Sequence, residues 1–399
     1  FEKRASKMIR LLSLLLIMSF PMTLCAQNDE LNKEIARKGN LFAFNFMQQV
    51  LAQDSLSPQV VVSPTSCAMA LSMLLNGAEG DSYEEIAKAL SLEGFSNEQI
   101  NRYNRMMLKV LAQKDDRILL QIANSVWAAD DFSYKCSFKR RLKRYYKVSP
   151  YRVDMSSLQT PDIINQWCSD ATNGLVDKII DSTDPSVLMI LINAIYFKGD
   201  WAVPFEKASS SEAPFYGQFS TSELTFMNAY RDVPYYACDE FRMIELDYSD
   251  PNYCMTMILP EEGVEMGEFL SQFSVEEFNQ GIASMGNRKT YITIPRVDCE
   301  YEIGLNNVLQ NMGMVLPFTS AADLSRIADD SMFVSSVIQK CALKVNEEGS
   351  EAAAVTAITI MKTSLSPQEP PRFIANRPYL SVIREKSTGT ILFMGVMRN

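Results

Sequence analysis

The most telling chemical feature of this sequence is an absent residue type: it contains no histidine. No Ser-His-Asp or Cys-His pair can be assembled from it, and no zinc site with an imidazole ligand. The Ser-Lys alternative is missing too, because no Lys follows a Ser by three positions. No two glycines lie two residues apart, which removes the Gly-x-Gly turn of dinucleotide and kinase phosphate loops. Carboxylates and bare cysteines remain. Asp115-Asp116, Asp130-Asp131, Glu261-Glu262 and Asp329-Asp330 are acidic pairs. Neighbours in sequence point apart on a strand, so these read as surface acids, and a carboxylate hydrolase is the weakest function class. The 8 cysteines contain no Cys-x-x-Cys. No disulfide framework is legible, and buried small apolar side chains are expected. Neither metal nor cofactor is expected.

Residues 347–372 offer something other than catalysis. Read at period two, Ser350, Ala352, Ala354, Thr356, Ile358 and Ile360 form one face, uncharged throughout and small at its start. Glu351, Ala353, Val355, Ala357, Thr359 and Met361 form the other. That pattern would let a strand slide into a crowded sheet. The same stretch also reads as a loop. It follows Glu347-Glu348-Gly349, ends in Ser366-Pro367-Gln368, and its triple alanine is a poor strand former. Compatibility with both states is what a switch requires; an ordinary edge strand or helix start fits the pattern as well.

The rest of the chain must position that segment. Its 399 residues, 47% hydrophobic and 22% charged, describe a globular protein long enough to bury a large core. No repeat or Gly/Ser linker divides it, so one large mixed domain is expected over residues 27–399. Residues 40–51 are helical, with Leu41, Phe44, Met47 and Leu51 on one face. Ser63 caps and Pro64 opens the next helix, which is apolar on nearly every face through Leu75 and stops at Asn76-Gly77. Ser82-x-x-Glu85 reads as a capping box for a helix through Leu90. Leu119–Trp127 and Val187–Phe197 are apolar runs expected as strands covered on both faces. Arg242–Tyr248, Tyr253–Leu259 and Tyr291–Ile294 are further strands, and Tyr379–Arg384 with Thr390–Val396 form a terminal hairpin. The class is α+β with large sheets.

The first 26 residues read as an address. Lys7 and Arg10 flank an apolar run, Leu11–Phe20, broken only by Ser13 and Ser19, and Ala26 closes a small-residue cleavage site. A signal peptide over 1–26 is expected, with Met8 as a natural start and 1–7 as an over-extended gene reading. Cys25 as a lipid-anchor cysteine is the alternative, against which Leu24 is large. The expected location is secreted: extracellular, or periplasm or surface in a bacterium. No transmembrane segment is expected. The formal net charge of −10 argues against a nucleic-acid partner. A basic run, Lys139-Arg140-Arg141-x-Lys143-Arg144-x-x-Lys147, suggests a polyanion such as heparin but reads first as a solvated helix face.

In family order, the sequence resembles the serpins over residues 35–399. Asn40-Leu41-Phe42-Ala43-Phe44 opens the match. Val62-Ser63-Pro64-x-Ser66, Ala70–Leu74 and Gly77-Ala78-x-Gly80 are similar to the serpin central helix. Ala123-Asn124-Ser125-Val126-Trp127, Asn165-x-Trp167 and Thr172-x-Gly174 follow. Asn193-Ala194-Ile195-Tyr196-Phe197-Lys198-Gly199-x-Trp201 with Pro204-Phe205 is highly specific. Glu347-Glu348-Gly349-Ser350-Glu351-Ala352-Ala353-Ala354 is similar to the inhibitory hinge, and Asn376-Arg377-Pro378-Tyr379 with Phe393-Met394-Gly395 closes the match.

The resemblance implies a fold of three β-sheets, about nine helices and an exposed reactive-centre loop at about 347–372. It implies an inhibitor, not an enzyme. The target protease cuts the loop and forms an acyl-enzyme, and the cut loop inserts as a new strand of the large sheet. A polar cluster of Ser63, Ser66, Asn193 and Gln339 would lie under the opening sheet; Gln339 stands where the family usually has His. The family spacing of about seventeen residues from the first hinge Glu falls on Thr363. Counting back from Asn376 points instead to Pro367, a poor bait. The hinge count is preferred, because the inserted length must match the sheet; Ser350 to Thr363 spans about 43 Å. The window is Met361, Lys362, Thr363 and Ser364. Lys362 suits trypsin-like enzymes, Thr363 or Met361 suits elastase-like or subtilisin-like ones, and papain-like targets stay open. A monomer is expected. Serpin polyanion sites usually lie earlier, around residues 98–113. A non-inhibitory serpin-fold carrier or chaperone is the competing reading.

Overall fold

The computed structural model describes residues 29–112, 117–348 and 369–399. The helix that opens at Pro64 is the hub of the fold. Ser63 is its cap, its hydroxyl accepting from the N–H of Ser66 at 3.2 Å, and Pro64 takes the first turn, where its missing N–H costs nothing. Numbering a helix over 29–53 as α1, this is α2, Pro64–Leu75. Its even apolarity has a cause. It packs on one side against β4 (Met189–Gly199) and on the other against β14 (Thr390–Met397), which belong to different sheets.

The five-stranded sheet has the order β10 (Val297–Gly304), β11 (Ser336–Val345), β4, β2 (Ile118–Ala129) and β3 (Tyr151–Val153). Alternation along β4 serves two cores. Leu191 and Ile195 face the main core and α2, while Ile190, Ile192 and Ala194 pack with Trp127, Ile164 and Cys168 under α6 (Thr160–Ala171). β4 is thus covered on both faces, as its apolar run requires. The start of β2 is less so, and Leu119 is exposed.

The second sheet has nine strands. Its order is β1 (Gln59–Val62), β14, β13 (Tyr379–Glu385), β8 (Tyr253–Pro260), β7 (Phe241–Asp247), β6 (Thr221–Ala237), β9 (Gly286–Pro295) and β12 (Arg372–Ile374). β5 (Ser211–Tyr216) also pairs with β6. Two of the three expected sheets are therefore hydrogen-bonded into one through the 17-residue β6: its body pairs with β5 and β9, and only Tyr235–Ala237 reach β7.

The sequence reading needs correction at two helix starts. The first helix is already formed at residue 29, well before residue 40. Ser82 does not cap the third helix, α3, which spans Gly80–Ala89 with Glu79 at the cap position. Ser82 and Glu85 have tertiary partners instead: the Ser82 hydroxyl accepts from Asp323 N–H at 2.9 Å, and the Glu85 carboxylate from Val315 and Leu316 N–H at 2.7 and 2.6 Å. The remaining helices are α4 (Asn97–Leu111), α5 (Cys136–Tyr145), α7 (Met266–Gln272), α8 (Val275–Ser284) and α9 (Asn306–Asn311). Among the described residues all seven cysteines are free, five of them buried. No described helix is long and apolar enough to cross a membrane.

Candidate functional site

In the middle of the five-stranded sheet β11 and β4 run parallel, from Ser336 opposite Ile190 to Leu343 opposite Phe197. Each is antiparallel to its other neighbour, β10 and β2 respectively. A strand placed between them and running the opposite way would make the sheet antiparallel from β10 to β2. Antiparallel ladders are slightly more stable per residue than parallel ones. Residues 347–348 stand at the C-terminal end of β11, so a chain doubling back there has the required direction.

That turning point is anchored tightly. The Trp201 indole N–H donates to Asn346 O at 2.9 Å, and the Trp201 and Phe205 backbone N–H groups donate to Glu348 O and Glu347 O at 3.1 and 2.7 Å. Trp201 is fixed in turn by stacking on Tyr248, with centroids 4.6 Å apart. The Glu347 side chain is 2% exposed. It accepts from Arg296 Nη2 at 2.5 Å, from Arg296 Nε at 2.9 Å and from the Ser210 hydroxyl at 2.5 Å. Burial pushes this carboxyl up, but the guanidinium and hydroxyl outweigh it and hold Glu347 below the ordinary carboxylate value of 4.5. Glu348 pairs with Lys207 at 2.6 Å. Gly349, Ser350, Glu351, Ala352, Ala353 and Ala354 of the hinge, and Met361, Lys362, Thr363 and Ser364 of the bait window, lie outside the described residues.

The four polar residues expected under the sheet do come together, all buried. Gln339 uses both ends of its amide. Its Oε1 accepts from Ser63 N–H at 3.1 Å, and its Nε2 donates to Ser63 O at 3.0 Å and to Asn193 Oδ1 at 2.5 Å. Asn193 donates to the Ser66 hydroxyl, and the Ser63 hydroxyl donates to Leu392 O at 2.7 Å. An amide can donate and accept at once, so it satisfies this site without an imidazole.

A fifth member was missed. Asn124 on β2 lies opposite Asn193 and accepts a hydrogen bond from it. Asn124, Asn193 and Gln339 thus form one row of amides across β2, β4 and β11. Asn124 stood in a recognised motif, but only strand register shows that it joins the row. Among the described residues the acidic pairs form no site: Glu261 pairs with Arg242 and Asp329 with Lys135, while Asp131, Glu262 and Asp330 are exposed; Asp115 and Asp116 lie outside the described residues.

These features match known proteins along nearly the whole chain. The serpin (serine protease inhibitor) family profile covers residues 37–399. The chain is 31% identical to Serpin-Z10 of Arabidopsis thaliana, covering 92% of this chain and 98% of that one. It is 29% identical to intracellular coagulation inhibitor 2 of Tachypleus tridentatus, covering 93% and 92%. Its structure aligns with the crystal structure of the thermophilic serpin tengpin in the native state, with a TM-score of 0.84, 28% identity, and coverage of 92% and 94%. This chain belongs to the serpin family and has its fold. Serpins as a family are generally protease inhibitors rather than enzymes, and some do not inhibit.

Proposed function

We propose that this protein is an inhibitory serpin that traps an endopeptidase as a suicide substrate. The carrying observation is the parallel β11–β4 pair, with the chain pinned at Glu347 and Glu348 where it leaves β11. In this reading the protease attacks within Met361–Ser364, preferentially at Lys362 or Thr363. The freed segment then enters between β4 and β11, led by Ser350. Its uncharged, small inward face lets entry outrun hydrolysis of the acyl-enzyme; a charge there would carry a desolvation cost. The same small hinge argues against a carrier that never inserts its loop. The leader-like pattern of the sequence over residues 1–26 supports secretion of a single domain, 27–399, and the targets in this reading are serine endopeptidases of trypsin-, elastase- or subtilisin-like specificity, with papain-like enzymes as a further class.

The test is incubation with trypsin, elastase, subtilisin and papain, followed by a denaturing gel and mass spectrometry. An SDS-resistant complex and a released C-terminal peptide beginning at Thr363 or Ser364 are expected. Cleavage without complex favours the non-inhibitory reading. Cleavage confined to Leu365 or beyond overturns the hinge count.

A further inference from the structure

The anchor at Glu347 and Glu348 rests largely on one segment of chain. Residues 201–210 supply the Trp201 and Phe205 N–H groups, the Lys207 ammonium and the Ser210 hydroxyl that hold it. That segment leaves β4 through a turn with little burial of its own, where Val203 is 48% exposed and Pro204 has no N–H to give. The turn is tied from outside instead. Ala202 N–H donates to Asp247 O at 2.9 Å. β6 ties the segment at two further points. Asn228 Nδ2 donates to Ser209 O at 2.9 Å, and Arg231 Nη1 donates to Val203 O and, at 3.4 Å, to Pro204 O.

Arg231 makes these contacts without an acid at hand. No ion pair among the described residues includes it. Burial lowers its guanidinium to about 10, and nothing acidic offsets the loss. Its strand partner on β9 is the buried Thr290. What it has is the turn: two carbonyls, and the Phe205 ring, whose centre lies 4.5 Å from the guanidinium carbon. Phe205 is buried and meets the buried Trp201 edge to face, with centroids 6.3 Å apart. Both rings belong to residues whose N–H groups grip the chain at Glu347 or Glu348. A half-buried cation without a carboxylate is a poor device for stability, because an apolar side chain of similar volume costs less to bury. A planar group that bonds carbonyls at its edge and covers a ring with its face is a good device for fixing an angle.

We propose that Arg231 is a positioning residue for strand entry. It holds the turn 203–205, the turn holds Trp201 and Phe205, and their N–H groups fix the point at Glu347 and Glu348 from which the entering strand doubles back. The link to strand entry rests on the inhibitory reading above; the fastening of the turn does not.

Amide hydrogen exchange on the intact full chain reads the fastening without any protease. In Arg231→Leu the Trp201 and Phe205 amides should exchange at least about tenfold faster than in the parent, while the amides of β8 and β13 stay within about twofold. The melting temperature should move by no more than about 2 °C, because an unpaired cation is lost together with its bonds. Challenged with a protease that the parent traps, the same variant should be cut at the same bond and rate, yet give at least about twofold less SDS-resistant complex. Lys289→Gln is the charge control: its ammonium lies over Tyr230, not the turn, and its loss should change neither reading by more than about twofold. Arg231→Lys keeps the charge but not the planar fork and should fall between Arg231→Leu and the parent; it also serves if the Leu variant fails to fold. Unchanged exchange at Trp201 and Phe205 in both Arg231 variants overturns the fastening. Faster exchange with an undiminished yield of complex overturns the positioning role. So does a lower yield accompanied by faster exchange throughout β8 and β13 and a matching fall in melting temperature, which would make Arg231 a merely structural residue. A parent that is cut but forms no complex fails the inhibitory reading instead, and the exchange result then decides the fastening alone.

Discussion

The β11–β4 seam of the five-stranded sheet and the β13–β8 seam of the nine-stranded sheet are both buried, and they are built in opposite ways. At β13–β8 the strands are antiparallel, Leu380 lies opposite Ile258 and Ile383 opposite Met255, and β13 reaches its other neighbour β14 through a tight hairpin. Parting that seam would expose apolar side chains that water cannot satisfy. At β11–β4 the strands are parallel, come from distant parts of the chain, and carry Gln339 opposite Asn193 at their middle. Amides parted there can pair again with backbone or with an incoming chain. In the proposed mechanism this difference assigns strand admission to the five-stranded sheet and leaves the nine-stranded sheet to hold.

The largest effect expected from this contrast follows cleavage. Cutting near Thr363 should raise the melting temperature by tens of degrees, roughly, because the filled seam gains a full ladder of hydrogen bonds and buried side chains. Identical melting curves for cut and intact protein would remove the reason to treat the seam as open to a strand.

Next is Ser350→Arg. The first residue to enter would bring a charge into a dry site, a cost of several kcal/mol unless it finds a partner. The variant should fold and be cut at the same bond, yet release active protease and form no SDS-resistant complex. Undiminished complex formation would break the insertion mechanism.

Ile258→Ala probes the other seam. Ile258 is fully buried, and its truncation should cost about 2–5 kcal/mol in urea unfolding. The yield of complex should stay the same, since this sheet only holds. A parallel fall in yield would show that the two seams are coupled.

The smallest expected effect is at the anchor. Because Glu347 titrates below its ordinary value, its contribution to stability is present above about pH 4.5 and lost as pH falls through the lowered native value. Glu347→Gln should therefore melt lower than the parent at neutral pH, and the two should converge in acid. A constant gap down to pH 3 would assign the loss to packing rather than to charge.

Legibility in the sequence followed the range of the interaction. Ser63-Pro64 announced α2 because a cap and its first turn are local chemistry. Ser82 and Glu85 had the spacing of a cap but were claimed by Asp323, Val315 and Leu316, far along the chain. The polar cluster was readable only through the family motifs, and Asn124 escaped because its membership depends on strand register. Nothing in sequence paired Glu347 with Arg296, 51 residues away.

The pinning of Glu347 and Glu348 has a consequence in parity. With one end of the segment fixed, every later residue is odd or even relative to that point, and on a strand odd and even face opposite sides. In an inserted strand, one residue added between Glu348 and Ser350 would exchange the faces, turning Glu351 inward where Ala352 had been. Two added residues would restore them, at the cost only of moving the bait a step farther from the anchor. The segment is thus constrained less by its exact length than by whether its count from the pin is even.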